Sequence, residues 1–263
     1  MNILVLGATS VIGADLASEF APGNRLLLVG RDTARLGRVV RRCSAQGAVE
    51  AIALRLDLSR GAAEFRELIR ANSVDLLINA ASATSRARDQ DIDSDQLGAR
   101  VTADLIAPIE LIRRLSEQPG ARAPRVIFVS SILALLPSPH RRIYGSLKCL
   151  HERSLNQLEN EYPEIQPLVV RVARWIDRDS STRSSRGLAR KVRQAYETNR
   201  KTLIYGTPGL LLAASYYVHP LVFRLLIGAV NSVRATFHSN RKASVGHPER
   251  DSQYAVMEQN RCK

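Results

Sequence analysis

Apolar runs at 2–6, 25–30, 49–56, 74–79, 125–130, 166–172 and 202–205 punctuate the chain, and stretches with helical spacing separate them. Short apolar runs that alternate with helical patterns predict parallel strands joined by crossover helices. The expected fold class is therefore α/β, a doubly wound parallel sheet with helices on both faces. No internal repeat or linker divides the pattern. One domain is expected over 1–235. Residues 236–263 are polar, show no helical period and read as a flexible tail.

The junctions between runs carry the candidate chemistry. Ile3-Leu4-Val5-Leu6 leads into Gly7-Ala8-Thr9-Ser10-Val11-Ile12-Gly13, and a helical pattern follows through Phe20. Strand, glycine turn and helix form a dinucleotide cradle, because the helix N-terminus presents N–H groups and positive dipole to a pyrophosphate. Gly7 is expected to permit the tight turn and Gly13 the close helix–sheet packing, with Thr9, Ser10, Val11 and Ile12 lining the cradle. Arg31 follows the second strand, where an acidic residue would hold a ribose 2′-hydroxyl. An arginine there suits a 2′-phosphate, so NADP(H) is favoured over NAD(H). The competing reading is that Arg31-Asp32 opens the next helix, with Asp32 as its cap.

Tyr144 and Lys148 are four residues apart in a helical stretch, which puts phenol and ammonium on one face. A lysine beside a tyrosine stabilises the phenolate and makes the phenol a usable acid near neutral pH. Ser131 ends the apolar run Val126–Ser130. The three residues read as a carbonyl-reducing centre. Taken singly, each has a plainer reading: a packed tyrosine with a solvated lysine, and an ordinary strand end.

In this order and spacing the motifs resemble the short-chain dehydrogenase/reductase family over about residues 1–175. The turn Gly7–Gly13 resembles the family's glycine-rich turn. Asp57-Leu58 occupies the place of its adenine contact, and Asn79-Ala80-Ala81 that of the segment bracing the sheet and lining the cofactor channel. The resemblance implies a Rossmann-like fold and an NAD(P)-dependent oxidoreductase. In it Tyr144 passes a proton at the carbonyl oxygen, Ser131 polarises that oxygen, and Lys148 lowers the phenol pKa and binds the nicotinamide ribose. It also implies a possible homo-oligomer through helices at about 94–116 and 142–161, and a substrate loop over 177–201. Departures are visible as well. Val11 replaces the middle glycine of the turn, Leu6 a threonine, and Ile78 and Ala81 an asparagine and a glycine. Asp104 stands where the family has asparagine, and no Pro-Gly follows the sixth strand. Asp104 is expected to pair with Lys148 and weaken its pull on Tyr144. A second reading is therefore a cofactor-binding regulator or scaffold with a weakened active site.

Composition adds a question about surfaces. The chain has 263 residues and a net charge of +13, with Arg35, Arg38, Arg41, Arg42, Arg113 and Arg114 spread over helical stretches. Solvated arginine-rich faces, an anionic membrane or a lipid substrate all fit. Nucleic acid does not, because no aromatic platform or DNA-binding module accompanies the charge. A basic stretch around Leu188, Val192 and Ala195 reads either as a helix lying on an anionic membrane or as a lid over an anionic substrate. Leu203–Phe223 lacks Asp, Glu, Lys and Arg, but Pro208, Pro220 and His219 interrupt it. It is read as a span, as peripheral membrane contact within 183–231, or as a buried helix closing the pocket or a dimer interface. Its order of strand, proline, apolar helix and His219-Pro220 resembles the C-termini of reductases acting on lipid-linked sugars. An apolar or lipid-linked substrate is expected, and His140 in the 132–143 loop is either a substrate contact or solvated. Cys43, Cys149 and Cys262 are widely spaced and suggest no metal site, with Cys149 expected to be buried packing. A reduced, cytoplasmic protein without a signal peptide is expected, with a peripheral place at the inner face of the membrane as the alternative.

Overall fold

All the apolar runs form strands: β1 (Asn2–Leu6), β2 (Arg25–Gly30), β3 (Glu50–Arg55), β4 (Leu76–Asn79), β5 (Arg125–Ser131), β6 (Leu168–Val172) and β7 (Thr202–Tyr205). The computed structural model describes residues 1–61, 65, 68, 72–82, 92–118, 123–135, 141–173 and 185–206. These belong to one unit, Met1–Leu210. The expectations placed on His140, on 207–231 and on the tail lie outside the described residues. The strands form one seven-stranded parallel sheet in the order β3-β2-β1-β4-β5-β6-β7. The winding reverses between β1 and β4, the point beyond whose C-terminal strand ends doubly wound sheets bind their ligands.

Both faces of the sheet are covered, and the strand sequences show why. Ile3 and Val5 of β1 enter one core while Leu4 and Leu6 enter the other, and Leu26/Leu28 and Leu27/Val29 of β2 divide the same way. A strand buried on both sides must be apolar at every position, so it shows no polar alternation. The first core is closed by α1 (Val11–Glu19), α2 (Thr33–Ala45) and α6 (Arg186–Glu197). The second is closed by α4 (Ala107–Ser116) and α5 (Arg142–Glu161). A further helix, α3 (Ser94–Val101), runs into α4 through a π turn at Thr102–Ile106.

Several expectations are corrected. Strands β3, β4 and β6 are shorter than their apolar runs, while β5 gains Ser131 because that residue pairs with Val172. The apolar stripe expected in the basic stretch before β7 packs on the sheet. The Leu188, Ala189, Val192 and Ala195 stripe of α6 is almost fully buried in the first core, so only its charged side meets solvent. Cys149 is half-buried rather than enclosed. Among the described residues no helix is long and apolar enough to cross a membrane.

Candidate active site

The cleft begins at the cradle after β1. Gly7 adopts φ +72°, and a Cβ there would come within 2.6 Å of the Ala81 backbone. Only glycine lets β1 turn against the end of β4. Gly13 serves the turn rather than helix–sheet packing, since its Cβ would strike the Gly7 carbonyl oxygen. Ser10 caps α1, its hydroxyl accepting from the Gly13 N–H at 3.0 Å. The first N–H groups of α1, from Val11 and Ile12, have no intrahelical acceptor. Val11 is 38% exposed, so its side chain stands over the turn instead of filling it. Thr9 packs beside Gly30, where a Cβ would sit 2.9 Å from the threonine methyl.

Next to the cradle, Arg31, Arg55, Leu56, Asp57 and Arg60 line a depression of about 400 Å³ beyond β2 and β3. Asp32 is indeed the cap of α2, accepting from the Arg35 N–H at 2.9 Å. The cap and the arginine are thus compatible, because Arg31 lines the depression while Asp32 holds the helix. Asp57 likewise does two things. It caps the short helical turn Leu58–Arg60 through the Ser59 N–H at 3.0 Å, and it lines the depression. Burial pushes its carboxyl pKa up, but the Ser59 hydrogen bonds and the Arg31 and Arg60 charges outweigh that and hold it low. Leu58 is buried beneath and anchors the turn.

The third part of the cleft joins Ser131, Tyr144, Lys148 and Asp104. Ser131 ends β5 and accepts from the Leu133 N–H at 3.2 Å, which fixes its hydroxyl toward α5. There it hydrogen-bonds the Tyr144 phenol. α5 comes this close because Gly145 abuts the Leu133 carbonyl, where a Cβ would sit at 2.7 Å. Lys148 is buried one turn further on, and Nζ donates to the Val129 carbonyl at 3.1 Å and the Ala81 carbonyl at 3.5 Å. Asn79 in turn holds the Ala81 N–H at 3.1 Å, and the Ala80 N–H donates to Leu6 at 3.0 Å. The Asn79–Ala81 segment therefore links the cradle to the lysine.

Electrostatics refine the assignment. Burial is the largest influence on Tyr144 and raises the phenol pKa. The Ser131 hydrogen bond lowers it, Asp104 raises it and Arg141 lowers it. Two cations lie near the phenol ring, the Arg141 guanidinium at 5.7 Å and Lys148 Nζ at 5.9 Å from its centroid. Lys148 Nζ is turned toward backbone carbonyls, and burial lowers its pKa against the opposing fields of Asp104 and Glu152. Asp104 is buried on the π turn and acts on both Lys148 and Tyr144.

Sequence reading missed Glu152, His151 and the two further arginines of the depression. Glu152 is one turn past Lys148. It accepts from Ser130 Oγ at 2.5 Å and from Arg171 Nη2 at 2.7 Å. Helical spacing from Lys148 would have found both Glu152 and His151. The register that sets Ser130 beside Arg171 was not visible along the chain.

The short chain dehydrogenase family matches residues 1–174, and the chain belongs to that family. It is thus an NAD(P)-dependent oxidoreductase acting between CH–OH and C=O. Search of curated proteins finds no match. Among solved structures, a short-chain dehydrogenase from Sphingobium yanoikuyae in complex with NADPH is 21% identical, with a TM-score of 0.65 over 96% of this chain and 99% of that one. A bulky-bulky ketone specific alcohol dehydrogenase from Comamonas testosteroni is 20% identical, with a TM-score of 0.67 over 89% of this chain and 93% of that one. An alcohol dehydrogenase from the archaeon Thermococcus sibiricus, complexed with 5-hydroxy-NADP, is 16% identical, with a TM-score of 0.66 over 78% and 95%. At these identities the likeness is one of fold.

Proposed function

We propose that this chain is an NADPH-dependent reductase of an apolar carbonyl compound, with a lipid-linked ketone as the favoured substrate class. The cofactor preference rests on one observation: Arg31, Arg55 and Arg60 line a single depression beside the cradle. A 2′-phosphate there would meet charge-assisted donors, whereas the 2′-hydroxyl of NADH would leave the arginines unused. Two solved structures of similar fold are complexes with NADPH and with 5-hydroxy-NADP, which supports a phosphorylated nicotinamide cofactor.

Gly7 and Gly13 let the turn fold tightly against Ala81 and onto itself, which sets the start of α1 at the end of β1. The N–H groups of Val11 and Ile12 are the expected diphosphate donors, with Asp57 and Leu58 beside the adenine and Asn79, Ala80 and Ala81 along the channel. A bound nicotinamide supplies hydride to the carbonyl carbon. Tyr144 supplies the proton to the carbonyl oxygen, and the protonated phenol is the form that reduction requires. Ser131 orients the phenol and offers a second donor to the developing oxyanion. The apolar substrate is inferred from the uncharged Leu203–Phe223 stretch, and peripheral membrane contact by 207–231 would serve such a substrate.

Fluorescence titration of the full chain with NADPH and with NADH tests the cofactor. NADPH should bind at least about tenfold more tightly, and Arg31→Gln with Arg55→Gln should remove the difference. Tyr144→Phe should abolish ketone reduction and leave NADPH affinity within about twofold. Intact NADPH binding without turnover of any ketone or lipid-linked keto-sugar would instead favour the scaffold reading that Asp104 suggests.

A further inference from the structure

Asp104 lies in the π turn between α3 and α4. In a continuous α-helix its carbonyl would accept from the residue four positions on. That residue is Pro108, which has no N–H. The α-type backbone donor is thus missing from this carbonyl, and His151 Nδ1 lies 2.8 Å from the same oxygen.

The chemistry fixes the ring's state. A carbonyl oxygen only accepts, so Nδ1 carries the proton. The imidazole is fully buried and stacks on Phe128, with centroids 3.9 Å apart and planes 14° apart. Burial pushes its pKa down to about 3, the Lys148 charge adding to this against the Asp104 hydrogen bond, so the ring is neutral. Nε2 is then a bare acceptor, buried and without a hydrogen-bond partner among the described residues. An unpaired buried nitrogen is unfavourable, and an apolar residue would avoid it. What the imidazole offers that an apolar residue cannot is the Nδ1–H bond to Asp104.

We propose that His151 is a positioning residue: its Nδ1–H holds the Asp104 carbonyl at the π turn and so fixes the Asp104 carboxylate against Lys148 and Tyr144. It acts through Asp104, whose charge reaches both residues. The kinetic consequence rests on the reductase reading, whereas the structural consequence does not.

The test uses the full chain with His151→Leu and His151→Asn. Asparagine presents an amide N–H where Nδ1–H stands, and leucine presents none. Hydrogen–deuterium exchange over 102–108, without substrate, should be at least about tenfold faster in His151→Leu and near wild type in His151→Asn. In ketone reduction His151→Leu should lower kcat at least about tenfold with the NADPH KM within about twofold, and His151→Asn should restore kcat to within about threefold. On an Asp104→Asn background His151→Leu should change kcat by less than about twofold. Equal exchange in wild type and His151→Leu would overturn the proposal, as would asparagine behaving like leucine, or an undiminished leucine effect on the Asp104→Asn background. Should His151→Leu fail to fold, His151→Gln, whose amide reaches the Nε2 position, makes the same comparison with His151→Asn. A wild type that reduces no ketone would refute the reductase reading, and the exchange measurement would still decide the role of His151.

Discussion

His151 also makes the stability of this protein sensitive to acid, and the size of the effect follows from its burial. The imidazole titrates at about 3 in the folded protein against an ordinary value of 6.5. Below 6.5 the unfolded chain binds a proton that the folded chain refuses, so stability is fully present above that pH and is lost as pH falls toward 3. At 1.36 kcal/mol per pKa unit, the fall from pH 7 to pH 4 costs about 3 kcal/mol from this one group. That is a large share of the roughly 5–15 kcal/mol that holds a domain folded. Replacing the ring by asparagine removes the titration but keeps the donor to Asp104. Urea unfolding at pH 7, 5.5 and 4 should therefore show wild type losing about 3 kcal/mol more than His151→Asn over the range. Carboxylates elsewhere titrate in both proteins and cancel in the difference. Parallel pH dependences would refute the reasoning, because they would mean that His151 is protonated as easily in the folded protein as in the unfolded chain.

Two further perturbations test the packing that aligns the site. Gly145→Ala should cost about 1–3 kcal/mol and lower kcat, because its Cβ would meet the Leu133 carbonyl at 2.7 Å and push Tyr144 from Ser131. By contrast, Gly98→Ala in α3 meets nothing within 4 Å and should gain about 0.5–1 kcal/mol. Thermal unfolding compares the pair, and equal effects would show that the close approach of α5 is not under strain. Arg171→Met should cost about 3 kcal/mol by leaving the Glu152 carboxylate buried without its cation, and Glu152→Gln on that background should recover much of the loss in urea unfolding.

The chain announces its fold because α/β folding is written in local pattern. Runs such as Ile3–Leu6 are apolar at every position because cores lie on both sides of the sheet, and the glycines beside β1 mark a turn that other residues could not make. Ser131, Tyr144 and Lys148 were also legible, since one strand end and one helical turn suffice to place them. The basic stretch containing Leu188 and Val192 admits several partners for its apolar face in sequence alone. Amphipathic spacing says that a helix has an apolar face, and only the packed structure shows that this face belongs to the sheet and not to a membrane. The same limit hid the neighbours of the candidate catalytic group. Arg55 and Arg60 reach the Arg31 depression only because β2 and β3 lie side by side, and Arg171 reaches Glu152 only because β6 pairs with β5. The fate of the Asp104 carbonyl was likewise a tertiary decision. Pro108 removes the donor four positions on, a fact of sequence, but that His151 meets the same oxygen follows from α5 packing against the π turn. Sequence by itself determined which groups could do the chemistry, because their types and helical spacings are local. Tertiary structure decided their charge states and partners, because burial and long-range pairing set those.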